Sequence, residues 1–398
     1  MPWWRSGLLI LVALVLLSYN LRPMATMIGP VLPDLQRDLR MGSVEAGLLT
    51  SLPTICFAIF GVAAPAIARR LGTHRLILLA VVLLAVGSIT RTLVDQSWLF
   101  IALSALGLAG LAAGNVMAPS IVRRHFPQRV GLVTAIYSLV LSIGVTLGSV
   151  SAVPLSGALG GWRPAFLVAS IIAVVTIVPW VLALRYDKTA VTEQKKKSNP
   201  ISLTAVARTK LGWALAVFFG FQSAQAYSIF GWMPSIYMAA GLSKAEAGLM
   251  LGIITGAGIP LAFLWPAYMS RNPRPLRLQL VISSFGLLGY CAMLIAPASL
   301  PWLWALFMAI GTSSFPLILA MFGLKSQSSA GTAALSGFGQ GMGYLLALFG
   351  PFTMGVVHQL TGGWTAPLFL LLAMSLVMSV AGITAITRGH IEDELPRR

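Results

Sequence analysis

The chain has 398 residues, 57% of them hydrophobic and only 9% charged, with a mean hydropathy of +0.87. A soluble chain carries about 25% charged residues, so this composition argues against a soluble domain and for many membrane spans. The net charge of +17 lies between apolar runs and forms no basic face, against a nucleic-acid interface, and Cys56 and Cys291 fall inside apolar runs, against a disulfide framework or zinc site.

The first seventeen residues, MPWWRSGLLILVALVLL, resemble a signal peptide. Their apolar run outlasts an h-region and more spans follow, so they read as an uncleaved first helix. A window of about 19 residues predicts an all-α membrane protein of twelve transmembrane helices. They lie near 7–33, 44–68, 76–94, 98–122, 131–155, 164–184, 212–239, 245–269, 277–296, 302–324, 331–357 and 364–387. The polar stretch 186–210 reads as a flexible charged linker between two six-helix bundles, 1–185 and 211–398.

Basic residues set the orientation. Arg5, the Arg69–Arg75 and Arg123–Arg129 connections, the linker and its edges, the Arg271–Arg277 connection, Lys325 and the C-terminal arginines put 21 of the 27 on one side. The other side receives Arg37, Arg40, Arg91, Arg163 and Lys244. The positive-inside rule therefore predicts a multi-pass inner-membrane protein with both termini in the cytoplasm.

The halves repeat. EAGLL at 45–49 matches EAGLM at 246–250, and Pro33 matches Pro234, both at an offset of 201; GGW at 160–162 and 362–364 are 202 apart. GNVMAP at 114–119 and GTSSFP at 311–316 share Gly-x4-Pro at 197. A duplicated six-helix unit with a mid-depth site between its copies is a transporter design.

Arg22 is the only cation between Arg5 and Asp34 and lies near the middle of that stretch. An arginine at such depth costs at least ~2.5 kcal/mol to insert. It reads either as a snorkelling arginine bound to the Tyr19 carbonyl, which Pro23 deprives of its helical partner, or as a cavity cation whose planar fork holds a small anion or nitro group. The second reading is preferred. Tyr19, Asn20, Ser18 and Thr26 lie near it, and the repeat carries Arg22 to Ser223, with Tyr227 one turn on. Gln222, Asn115, Tyr137, Gln340 and Tyr344 complete the candidate solute-binding residues, each also open to a helix–helix hydrogen-bond role. The glycines of GFGQGMG (337–343) read as helix packing, because no strand precedes them and no Lys-Ser/Thr follows. Glu45 and Glu246 read as helix-start carboxylates.

The segments NLRP (20–23), GNVMAPSIVRRHFPQR (114–129), GWRPAF (161–166) and GYLLALFGP (343–351) resemble the cyanate/nitroimidazole-transporter branch of the major facilitator superfamily over nearly the whole chain. One departure stands out: PAIARRLGTHR (65–75) carries Arg69 where the superfamily's loop signature has an aspartate. The resemblance implies a twelve-helix secondary transporter for cyanate or a nitroimidazole-like compound, working by alternating access. Efflux of larger organic compounds is the alternative within transport; a membrane-embedded enzyme or a sensor is the alternative outside it. An enzyme is disfavoured, because the ten acids lie near span ends or in loops and the histidines at 74, 125, 358 and 390 are expected not to cluster. The expected partners are a small-molecule solute and membrane lipid, with no nucleic acid, cofactor or metal, and the chain is expected to be a monomer.

Overall fold

A computed structural model describes residues 3–186, 201–271 and 275–395. Most of the predicted linker, including Lys188 and Lys195 to Lys197, lies outside the described residues, as do Arg274, Arg397 and Arg398. The chain divides into two compact units, Met1–Lys196 and Lys197–Arg398. Unit 1 contains α1 (Trp3–Asn20), α2 (Pro23–Thr26), α3 (Ile28–Asp38), α4 (Ser43–Leu71), α5 (Thr73–Thr90), α6 (Ser97–His125), α7 (Val130–Ala158) and α8 (Trp162–Ala183). Unit 2 contains α9 (Leu203–Val206), α10 (Lys210–Ala239), α11 (Lys244–Arg271), α12 (Pro275–Ile295), α13 (Pro301–Gly311), α14 (Phe315–Leu324), α15 (Ser329–Ala347), α16 (Phe349–Thr361), α17 (Thr365–Thr387) and α18 (Ile391–Glu394).

Among the described residues, eleven segments are long and apolar enough to cross a membrane, against twelve predicted. The difference is α10. Its 30 residues exceed the ~20 that a span needs, but Gln222, Ser223, Gln225, Tyr227 and Ser228 lower its hydropathy. Twenty-one of those residues are buried, because α11, α15, α16 and α17 all pack on it. Its polar groups face protein, so composition alone understates it.

Three predicted spans are broken, each next to a proline. The first span divides at Leu21–Arg22 and again at Met27, where Pro23 and Pro30 remove the N–H groups that the carbonyls of Tyr19 and Thr26 would take. The tenth breaks between Gly311 and Phe315, ahead of Pro316, and the eleventh at Leu348, ahead of Pro351.

Glycines set the close helix contacts. In unit 1, Gly87 of α5 meets Gly107 of α6, and the Gly107 backbone leaves no room for a side chain at Gly87. In unit 2, Gly311 meets Gly286 of α12, and the Gly286 backbone leaves no room for a side chain at Gly311. Gly343 of α15 seats against Ala216 and Gly220 of α10, and Gly339 against the Phe322 ring, so the GFGQGMG glycines pack helices. Glu45 accepts from the Gly42 N–H at 2.9 Å and the Ser97 hydroxyl at 2.8 Å. Glu246 accepts from the Ser243 N–H at 2.8 Å while the Ser243 hydroxyl accepts from the Glu246 N–H at 3.3 Å, a reciprocal cap. Both acids hold helix starts.

The GWRPAF motif fastens α8. Trp162 donates its indole N–H to Asp38 at 2.9 Å, and Arg163 binds the carbonyls of Thr92 and Val94 and pairs with Asp95 at 2.7 Å. At the end of unit 2, Glu392 accepts from Ser326, Ser328 and the Gln327 N–H. Burial pushes its carboxyl up, and those hydrogen bonds outweigh it and hold the group below its ordinary range.

Candidate functional site

Arg22 stands at the break in the first span. Its backbone leaves the helical region (φ −132, ψ −34), and its carbonyl starts α2 by accepting from the N–H groups of Ala25 and Thr26. Pro23 frees the Tyr19 carbonyl, and α7 closes on it through Gly144, where any side chain would strike that oxygen. One turn on, a methyl at Gly148 would lie 2.6 Å from the Thr26 hydroxyl and 3.0 Å from the Pro23 Cα. Thr26 reaches the same helix, donating to the Val145 carbonyl at 3.3 Å.

The Arg22 side chain is half-buried, with its guanidinium 5.5 Å from the centre of the Phe57 ring of α4. Tyr137 of α7 lies within its electrostatic reach and donates its hydroxyl to the Asn115 amide oxygen of α6 at 2.7 Å. One cation, one aromatic face and one phenol–amide pair thus converge from four helices. Tyr19 is half-buried one turn before Arg22. Asn20 is spent inside the bundle, donating to the Leu16 carbonyl and to Thr176 of α8 at 2.9 Å. Ser18 is fully buried and donates to the Leu14 carbonyl at 2.6 Å.

A second arginine backs the break. Arg91 was counted with the less basic side, near the end of the third predicted span. It is 2% exposed, donates to the Met24 carbonyl at 3.3 Å and the Ser104 hydroxyl at 3.5 Å, and lies 4.7 Å from the Phe166 ring centre. The three-residue 3-10 turn Arg91–Leu93 at the end of α5 folds it back into the bundle.

In unit 2, α10 runs unbroken through Ser223. Gln222 donates to the Thr312 carbonyl at 3.2 Å, steadying the break between α13 and α14, and Ser223 bonds the Gln222 amide oxygen. Tyr227 is 4% exposed and edges onto Phe230. Gln340 bonds Ser336 at 2.7 Å, and Tyr344 lies edge-on to Phe219 at 4.9 Å. The ring that unit 1 itself brings to Arg22 is Phe57, which the sequence reading did not single out. Sequence reading also missed Tyr290, which donates to the Gln225 amide at 2.9 Å.

Two histidines expected to stay apart do meet: His74 and His125 lie 3.0 Å apart through their Nε2 atoms, brought together by the packing of α5 on α6. Among the described residues no group of three or more His, Cys, Asp or Glu side chains could hold an ion.

The pattern of the Major Facilitator Superfamily matches residues 8–351. The chain is 34% identical to an uncharacterized transporter, YycB, of Bacillus subtilis (strain 168), over 94% of this chain and 92% of that one. It is 30% identical to the 2-nitroimidazole transporter of Escherichia coli (strain K12), over 96% of each chain, and 29% identical to the cyanate transport protein CynX of the same organism, over 89% and 91%. Among solved structures, the D-xylose–proton symporter superposes with a TM-score of 0.74 at 14% identity, covering 99% of this chain and 98% of that one. The chain, a multi-pass membrane transporter and not an enzyme, therefore belongs to the major facilitator superfamily, in the branch of the cyanate and nitroimidazole transporters.

Proposed function

We propose that this transporter carries a small planar solute, either a monovalent anion of the cyanate type or a nitro-heterocycle, and that Arg22 is its main ligand. The observation that carries this reading is the placement of Arg22 at a helix break, with Phe57 against its guanidinium and the Tyr137–Asn115 pair close by. A planar fork offers two parallel N–H donors to two acceptor oxygens, and this serves a charged anion and a nitro group alike. Two relatives whose names state a solute support the same class, one named for 2-nitroimidazole and one for cyanate.

Every described carboxylate lies at a helix end or in a connection: Asp34, Asp38, Glu45 and Asp95 in unit 1, and Glu246, Glu392, Asp393 and Glu394 in unit 2. A monovalent anion entering an inside-negative cell unaided climbs about 2.3 kcal/mol per 100 mV. The proposed cycle is therefore alternating access by exchange, export or carriage of a neutral solute, without a proton-carrying acid at the site. The protein is placed in the inner membrane as a monomer with the basic connections in the cytoplasm; a cysteine at Lys244 should then react with an impermeant thiol reagent in intact cells. The direct test of the reading is counterflow in proteoliposomes. Labelled cyanate or labelled 2-nitroimidazole should accumulate against a preloaded unlabelled pool. If neither does, while the purified protein is folded and inserted, the solute assignment is wrong.

A further inference from the structure

We propose that unit 2 carries a site for an anionic phospholipid at the start of α10 and the end of α17. A cavity of about 630 Å³ lies there. Its wall is apolar and faces outward from the bundle: Trp213 is 41% exposed, Leu376 50% and Val380 64%, with Val217 and Val377 beside them. The Trp213 indole is pinned across it by a 2.8 Å hydrogen bond to the Ala207 carbonyl. The charge sits at one end only. Arg208 and Lys210 are exposed at the rim and Arg388 lines the same end.

Of these three cations only Arg388 has a carboxylate, and the other two acids of α18 are engaged elsewhere: Glu392 accepts from Ser326, Gln327 and Ser328, and Asp393 from the His390 N–H. Glu394 pairs with Arg388 at 3.0 Å through one oxygen and accepts from the Leu211 N–H at 3.0 Å through the other. Among the described residues, Arg208 and Lys210 have no carboxylate partner. The rim thus has positive charge left over, while the cavity below it has an apolar wall along α17. That is the shape of an amphiphile. A phosphate headgroup answers the rim, and an acyl chain answers the valines, the leucine and the tryptophan. A free phosphate would satisfy the rim and leave the wall unfilled; a zwitterionic lipid would fill the wall and set its own cation beside the rim. The geometry therefore favours a phosphatidylglycerol-type lipid, from the leaflet that faces the basic end of the chain.

The test uses the purified full-length protein, delipidated, with phosphatidylglycerol, phosphatidylcholine and glycerol 3-phosphate as separate probes, read by native mass spectrometry and by lipid-dependent shift in melting temperature. Phosphatidylglycerol should be retained and stabilise, phosphatidylcholine should bind at least tenfold more weakly, and glycerol 3-phosphate should not compete. The double variant Arg208→Gln/Lys210→Gln should lose about thirtyfold in phosphatidylglycerol affinity with its lipid-free melting unchanged, since both side chains are exposed. Val380→Trp, which fills the apolar wall, should weaken binding without altering charge, and it carries the test if the double variant does not fold. Equal binding of the two lipids, wild-type affinity in either variant, or competition by glycerol 3-phosphate would overturn the proposal.

Discussion

The two units place the same contacts at repeat-related positions and build them from different residues. At an offset of 201 Pro23 falls on Ala224, and at 202 Gly148 falls on Gly350. In unit 1 Gly148 abuts Pro23, and in unit 2 Gly350 abuts Ala224, where a methyl would lie 2.7 Å from the Ala224 Cβ. The adjoining contact is kept with its partners exchanged. Tyr19 meets Gly144 in unit 1; the matching pair in unit 2 is Gly220 and Leu346, with the glycine now on the other helix. Likewise Arg91 binds the backbone of Met24, while Tyr290 binds the side chain of Gln225, and 24 and 225 are 201 apart. Packing has thus been conserved across the duplication while the chemistry has diverged. Unit 1 has a proline break, a cation and a second arginine behind it. Unit 2 has an unbroken helix, with Ser223 at the place of Arg22 and a neutral amide, Gln225, at the place of Met24.

The strongest way to break this comparison is steric. Gly148→Val and Gly350→Val should each destabilise by about 1–3 kcal/mol or more, because neither backbone neighbour can yield. Thermal unfolding in detergent would show both melting earlier by similar amounts; a large effect at one site only would mean that the contacts are not equivalent. Next comes the chemistry behind the break. Arg91→Lys should cost about 2 kcal/mol, through the lost charged hydrogen bonds and ring contacts. Tyr290→Phe should cost about 1 kcal/mol, through a single neutral bond. Equal losses would remove the distinction drawn between a charged and a neutral half. Smallest are the helix starts. Glu45→Gln and Glu246→Gln should each cost no more than about 1 kcal/mol and leave the pH dependence of transport unchanged. Loss of pH-driven uptake in a folded Glu45→Gln or Glu246→Gln protein would show that these acids carry protons.

How much of this was open to a reader of the sequence depends on whether the signal is local. The apolar runs, the capping acids and the Arg22–Pro23 pair are all local, and they predicted the spans, the helix-start acids and the carbonyl that Pro23 leaves without its helical partner. The burial of Arg91 went unread because only the turn after α5 tucks it into the bundle, and that turn is not legible in the apolar run. The α10 polar residues lower its hydropathy for a reason invisible in one dimension: its neighbours are protein. His74 and His125 are 51 residues apart, and nothing but the seating of α5 on α6 joins them. Phe57 was likewise one aromatic among many until α4 brought it to Arg22. Gly144 and Gly148 did carry a readable signal, the small-xxx-small spacing, and it went unread.

The central claim is that Arg22 recognises the solute through its planar fork. The most direct measurement is the affinity of the purified protein for cyanate and 2-nitroimidazole in wild type, Arg22→Lys and Arg22→Ala, with folding checked by melting temperature. Losing one charge-assisted contact in a desolvated site costs about 2 kcal/mol, roughly thirtyfold in affinity. Both variants should therefore bind at least that much more weakly, lysine included, because a point charge cannot reproduce a bidentate contact. Wild-type affinity in Arg22→Lys would contradict the bidentate account, and wild-type affinity in Arg22→Ala would make Arg22 a structural residue.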